Sequence, residues 1–482
     1  MSEPRTTGPS APSGTAGSAQ ESSTQPARTA AQRPRTVGPS SYFDPADLDR
    51  LDAATGDLVR RRTDALGPAY RLFYRRPLHI VRGSGTKLYD VDGVEYLDSY
   101  NNVPSVGHAH PRVTAAIAEQ TAVLSTHTRY LHESIVAYAE DLLSTLPSEL
   151  GHVMFTCTGS EAGDLALRIA KKHTGGTGVI VTRNAYHGVS TEIASISPSL
   201  VGVDALPDWV RWVPAPDPRR VDWSGYDSMG EWFAAQVQAA IDDLAAHGVR
   251  FAAFVADSIF ASDGVLAHPA GFLAPVRAVV ASAGGVYLAD EVQPGFGRTG
   301  DSMWGFERHG AADSPFVPDL MTIGKPMGNG FPVAATVMTP EVVAEFGRDL
   351  RYFNTFGGNA VAIAAAQAVL DVVREEGLQD NARVVGGHLQ DSLRELATRH
   401  ASISDVRGAG LFIALELGHD DHAAAEDLTL AVVNGLKEHH VLVGTAGIHN
   451  DALKIRPPLC FSAEDADRFV TELDSVLTEL GH

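Results

Sequence analysis

The chain has 482 residues, 44% of them hydrophobic, and a formal net charge of −21. That length can bury a large core and predicts two or more domains, while the acidic balance argues against a nucleic-acid partner, because phosphate binding needs a basic face. The two cysteines, Cys157 and Cys460, exclude a disulfide framework and a cysteine-built metal motif and point to the cytoplasm; no run of about 18 apolar residues is present to span a membrane.

Residues 1–40 are rich in Ser, Thr, Ala, Pro and Gly and have almost no large apolar side chains. Such a stretch cannot bury enough surface to offset its ordering entropy, so it reads as a disordered leader. It lacks the apolar segment of a secretory signal, and its Arg and Ser content leaves an organelle transit peptide as the alternative. From Phe43 the pattern becomes structured: Asp44-Pro45 is a helix start, with Leu48, Leu51 and Leu58 at partial helical spacing. IVRGSGTKLYDVDGVEYLDSY then alternates β-formers around Asp92-Gly93, a hairpin signal. A turn-rich passage follows, with Asn101-Asn102 and the string from Val106 to Pro111, which reads on local grounds as the loop before a helix at Val113.

Phe155 to Ala162 reads as a strand passing through a tight glycine turn into a helix with Ala162, Leu165, Ala166, Ile169 and Ala170 on its apolar face. Lys171, Lys172 and His173 followed by Gly175-Gly176 close that helix. Its N-terminal N–H groups point outward and its dipole favours an anion, so Gly159 and Ser160 form a ready phosphate cup. GVIVTRNAYHG is a buried-type strand ending in Tyr186-His187-Gly188, and an aromatic there can stack on a flat heterocycle or simply fill the core. FAAFVADSIFASDG is a further strand ending in Asp257. Phe272, Val276, Val279 and Val280 predict a helix up to Gly284-Gly285, with Pro275 in its first turn. Strand and helix alternating in this way predict a parallel sheet with crossover helices.

The stretch from Val286 to Pro332 carries the densest chemistry. One apolar run, Val286 to Ala289, ends in Asp290-Glu291, and a second, Leu320 to Ile323, ends in Gly324-Lys325. Ligands of open α/β sheets collect past the carboxyl ends of strands, so this acid and lysine face one crevice. A lysine that can hold an aldehyde as a Schiff base, with an acid that keeps a pyridine nitrogen protonated, is the pair pyridoxal phosphate requires. Taken singly, Asp290 could equally cap a loop and Lys325 lie in solvent. The strings LADEVQPGFGRTG and TIGKPMGNGFP, together with Gly-Ser-Glu-Ala at 159–162, resemble the class III aminotransferases of the fold type I pyridoxal phosphate enzymes, over a span from about Phe43 to the C-terminus.

That resemblance implies a large α/β domain with a mainly parallel, seven-stranded type of sheet and a small α+β domain built from both chain ends. The expected division is 41–100 for the N-terminal part of the small domain, 101–345 for the large domain and 346–482 for the rest of the small domain. It implies Lys325 as the Schiff-base lysine, Asp290 on the pyridinium nitrogen, Gln293 near the ring's phenolic oxygen, Tyr186 and His187 over the ring, and Gly159 and Ser160 at the phosphate. Asn102 lies in a passage that approaches substrate in the family. RYFNTFGGN resembles the segment whose threonine binds the phosphate of a neighbouring subunit's cofactor, so Thr355 implies a homodimer, with a helix-capping loop as the local alternative. In the last third, VRGAGLFIALEL reads as a hairpin, about 424–439 as a helix and 463–480 as a closing helix.

LKIRPPLCFS departs from the common family pattern, in which an arginine before Pro-Pro-Leu grips an α-carboxylate. The preferred register puts Lys454 there, with Arg456 two residues on and on the same strand face; Asp257 stands where a glutamate is usual. YNNVPSVGHAHP, RYFNTFGG and KIRPPLCFS are most similar to the subgroup containing phosphoethanolamine and phosphohydroxylysine phospho-lyases. Family frequency favours an aminotransferase moving an amino group from an amine or amino acid to an aldehyde or keto acid. The alternative is a phospho-lyase or ammonia-lyase with Lys454, Arg456 and Arg129 as anion grips. A non-catalytic regulator is disfavoured, because such proteins carry a DNA-binding domain or lack the lysine.

Overall fold

The computed structural model describes residues 42–267, 270–311, 313–419 and 421–482; the leader read from residues 1–40 lies outside these. Its first sheet opens with three antiparallel strands, β1 (Ile80–Ser84), β2 (Lys87–Asp90) and β3 (Glu95–Asp98), so the hairpin read at Asp92-Gly93 is the β2–β3 turn. Ahead of it, the single helix expected from Asp44 is two pieces, a 3₁₀ turn at Pro45–Arg50 and an α-helix at Ala53–Leu66. The break has a local cause. Asp52 is extended, and its carboxylate accepts the N–H groups of Ala54 and Thr55, which starts a fresh helix.

The central sheet contains β4 (His152–Thr156), β5 (Gly178–Thr182), β6 (Val210–Val213), β7 (Phe251–Asp257), β8 (Val286–Asp290), β9 (Leu320–Ile323) and β10 (Ala334–Met338), in the order β4-β10-β9-β8-β7-β5-β6. Every neighbouring pair is parallel except the two made by β10. Both faces are buried, as a sheet of this kind requires. Ile180, Phe254, Tyr287 and Met321 pack with the helices Met229–Ala246 and Ala274–Ser282, while Val179, Val255, Leu288 and Leu320 pack with Gly159–Thr174 and Pro340–Asp349. Alternate residues of one strand thus enter different cores.

β11 (Ile403–Ala409) and β12 (Phe412–Leu417) form the expected hairpin. Two short strands follow, β13 (Val441–Leu442) and β14 (Gly444–Ala446), and then β15 (Ala452–Ile455). The last sheet is ordered β11-β12-β15-β14, whereas β13 joins β3, so strands from both ends of the chain share the first sheet. This is the α/β architecture of fold type I, with a seven-stranded, mostly parallel sheet and two smaller ones.

Candidate active site

Register alone builds the floor of the site. Asp257, Asp290 and Thr322 lie side by side at the carboxyl ends of β7, β8 and β9. One oxygen of Asp290 accepts from His187 Nδ1 at 2.7 Å, and the other accepts from Thr322 Oγ1 at 3.3 Å and the Val292 N–H at 3.1 Å. The carboxylate is therefore fixed in direction, and this bond assigns the Nδ1 proton of His187. His187 Nε2 is buried with no partner among the described residues.

Asp263 anchors the turn that carries Tyr186 and His187. Its carboxylate accepts from Thr182 Oγ1 at 2.7 Å and the Asn184 N–H at 3.0 Å. Sequence reasoning passed over Asp263, whose only local signal is an acid in the loop after β7.

Lys325 follows β9, with its Nζ 5.9 Å from the centroid of the Tyr186 ring. No hydrogen bond engages that amine among the described residues. Burial first, and the Arg456 charge second, push its pKa down to about 8. An amine that is substantially neutral near pH 8 can attack a carbonyl or accept a proton. Beside it, the helix Gly159–Thr174 begins at Thr158, whose side chain accepts the Glu161 N–H at 3.1 Å. The N–H groups of Gly159 and Ser160 remain without acceptors among the described residues. Close backbone packing brings this helix start to the lysine: a Cβ on Gly324 would lie 3.4 Å from Gly159 Cα. Gly188, at φ +154°, is equally constrained, since a Cβ there would meet Ser160 Oγ at 2.7 Å.

The opposite wall comes from β15 and the Ser99–Asn102 stretch. Lys454 and Arg456 are both buried. Lys454 Nζ has no hydrogen-bond partner among the described residues and lies 5.8 Å from the Phe412 ring centroid; burial, then the Arg456 charge, hold its pKa well below the usual lysine value. Arg456 donates through Nη1 to Gln293 Oε1, stacks 4.7 Å over Tyr100 and leaves Nε buried and unpaired. Its backbone N–H donates to Ser99 O at 2.9 Å. Asn102 is buried with Nδ2 unpaired. Asp257, accepting the N–H groups of Ile259 and Ala261, is pushed up to about 6 by burial and by neighbouring Asp290.

Two predicted residues are exposed within one chain, although Asn354, beside Thr355, donates to Glu161 in the first turn of the Gly159–Thr174 helix at 3.3 Å. Arg129 is exposed, 3.7 Å over the Phe353 ring, and lines a surface hollow of about 460 Å³ with Thr128, Tyr352 and Asn354. Thr355 is exposed in a turn where Asn354 Oδ1 accepts from the N–H groups of Phe356 (3.2 Å) and Gly357 (3.0 Å). Glu291, next to Asp290, is structural: fully buried, it accepts from Ser258 Oγ and the N–H groups of Gly305 and Phe306.

Residues 73–477 match the family described as aminotransferase class-III. A Drosophila melanogaster protein named alanine–glyoxylate aminotransferase 2-like is 42% identical over 434 residues, 88% of this chain and 87% of its own length. The ethanolamine-phosphate phospho-lyase homolog 1 of Caenorhabditis elegans is 37% identical over 439 residues, 88% and 93% of the two chains. Among solved structures, a phospholyase from Arthrobacter in complex with phosphoethanolamine has 42% identity and a TM-score of 0.83, covering 88% of this chain and 99% of that one. The donor set fits the family's cofactor: free N–H groups at a helix start for a phosphate, a fixed carboxylate for a ring nitrogen, and an unpaired amine for an aldehyde. By its sequence over most of its length and by its fold, the chain belongs to the class III aminotransferase family, whose cofactor is pyridoxal phosphate.

Proposed function

We propose that this enzyme is a phospho-lyase, which eliminates phosphate from a small phosphorylated primary amine and releases an aldehyde and ammonia. The observation that carries this reading is the pair of buried basic side chains, Lys454 and Arg456, with open donors facing the site. Burial and the Arg456 charge depress the Lys454 pKa although Asp257 and Asp263 act against this, so two basic groups are held in a site where charge is costly. An anionic ligand relieves that cost, and two adjacent cations suit a phosphate dianion better than the single bidentate arginine that suffices for a carboxylate. The phosphoethanolamine complex of the Arthrobacter relative is consistent with this.

When bound, pyridoxal phosphate supplies an aldehyde that condenses with the substrate amine and a protonated ring that draws electrons from the adjacent carbon. Asp290, fixed by His187 and Thr322, holds the proton at the ring nitrogen. The Lys325 amine removes the proton from the substrate carbon beside nitrogen, as its depressed pKa suits. Lys454 and Arg456 hold the phosphate and take up its charge as the C–O bond breaks and the electron pair leaves on oxygen. Asn102 Nδ2 supplies a further donor. Water then completes the balance, giving one aldehyde, one ammonia and one phosphate per phosphorylated amine consumed.

Transamination is the second reading. The aminotransferase name of the Drosophila relative favours it, and Arg456 can grip a carboxylate. In either case Thr355 and Arg129 act across a homodimer, because both lie exposed on one face with Phe353 and Phe356. No helix among the described residues is long and apolar enough to cross a membrane. A cytoplasmic setting is our reading of the two unbridged cysteines; an Arabidopsis relative is named mitochondrial, so cell fractionation decides. The function is tested by incubating the holoenzyme with phosphoethanolamine, and separately with alanine plus glyoxylate. Equimolar phosphate and ammonia from the first is expected; amino transfer in the second with no phosphate release in the first would replace the reading.

A further inference from the structure

Arg298 lies in the Gly-Phe-Gly-Arg-Thr-Gly string, is 1% exposed, and holds one of the most enclosed charges in the molecule. Its Nη1 donates to two neutral carbonyls, Pro457 O at 2.7 Å and Leu411 O at 3.0 Å, and Nη2 is buried without a partner among the described residues. No carboxylate bonds to it there. The loop is locked around it: Arg298 O accepts the Leu411 N–H at 3.0 Å, and a Cβ on Gly410 would lie 2.4 Å from that oxygen. Pro457 directly follows Arg456, so Arg298 buttresses the segment that presents Arg456 to the site.

A clamp on two carbonyls does not need a full charge, and a buried unpaired guanidinium next to a second one is unfavourable. Burial and the Arg456 charge accordingly lower the Arg298 pKa to about 9. The same charge becomes useful when an anion arrives, because it acts through a low-dielectric interior in which screening is weak. We infer that Arg298 is a positioning residue whose buried positive charge, without touching the substrate, tightens the hold of Lys454 and Arg456 on an anionic substrate group. This rests on the reading that Lys454 and Arg456 form the anion grip.

The test is titration of the holoenzyme with inorganic phosphate, and in parallel with acetate, for wild type, Arg298→Lys and Arg298→Gln, with thermal melting as the folding control. Lysine loses the fork and, buried beside Arg456, keeps its charge only at acid pH, so the titrations are run at about pH 6; glutamine keeps an amide donor and loses the charge. The inference predicts that Arg298→Gln weakens binding of the preferred anion about tenfold while Arg298→Lys stays within about twofold. Pyridoxal phosphate affinity stays unchanged in both. Equal loss in the two variants would reduce Arg298 to a clamp, and no loss in either, or a glutamine variant as tight as wild type, would overturn the inference. Wild type holding acetate but not phosphate would remove the phospho-lyase reading alone, with the Arg298 comparison then read from acetate. Should the glutamine variant fail to fold, Arg298→Lys carries the test through salt dependence of the anion Kd: a retained buried charge leaves it as in wild type, and a steeper dependence contradicts the inference.

Discussion

The two walls of the site are built on opposite principles. On the proposed cofactor side, Asp290 is held by three donors from three separate segments, and Tyr186-His187 is pinned through Asp263. On the β15 side, Lys454, Arg456 Nε and Asn102 Nδ2 are buried and unpaired. Groups held by several partners have a fixed geometry. Unsatisfied buried donors carry a standing cost of about 1–3 kcal/mol each and mark where the substrate's own groups belong. In the proposed reading, specificity lies in the groups the protein leaves unpaired.

The strongest way to break the cofactor side is Lys325→Ala, expected to lower kcat by about a thousandfold or more while the protein stays folded, measured as phosphate release with a thermal melt alongside. On the other wall, Lys454→Met is expected to raise KM for a phosphorylated amine by about 10–100-fold while Tm stays close to wild type, because the methionine fills a similar volume and a buried amine with no hydrogen bond among the described residues adds little to stability. A variant that lost both affinity and stability would contradict the contrast between the walls.

A pH series sharpens the coupling of the two sides. The Lys325 amine is neutral above its pKa of about 8, so the rate at which apoenzyme takes up pyridoxal phosphate should rise about tenfold per pH unit below that value and level off above it. Arg456→Met removes a charge that depresses this pKa, so the plateau should move to higher pH. Rapid-mixing absorbance reads both. The smallest effect lies away from either wall: Asp52→Ala removes the cap of Ala53–Leu66 and should cost about 1 kcal/mol of stability with kcat unchanged.

The placement of most groups on the proposed cofactor side was legible in the sequence, because each of them ends a strand or starts a helix. Asp290, Lys325, Gly159 and Ser160 sit where β8, β9 and the helix after β4 terminate or begin, and alternating buried strands predicted the parallel sheet. The partners that fix these groups were not legible. The His187–Asp290 bond spans 103 residues and the Arg298–Pro457 bond spans 159, distances over which local pattern carries no information. Local pattern also missed the break at Asp52, where a side-chain cap overrode a leucine spacing. For Arg129 and Thr355 residue type could be read without orientation, and the fold leaves both exposed, where a second chain must supply the rest of their surroundings if they act at a site.

The most direct test of the two-wall account is a single turnover of cofactor-loaded enzyme with phosphoethanolamine, following the cofactor spectrum together with phosphate and ammonia. The account predicts one phosphate and one ammonia per site, with the cofactor returned to its pyridoxal form. Stoichiometric conversion to pyridoxamine phosphate, with no phosphate released, would contradict it and make the enzyme an aminotransferase.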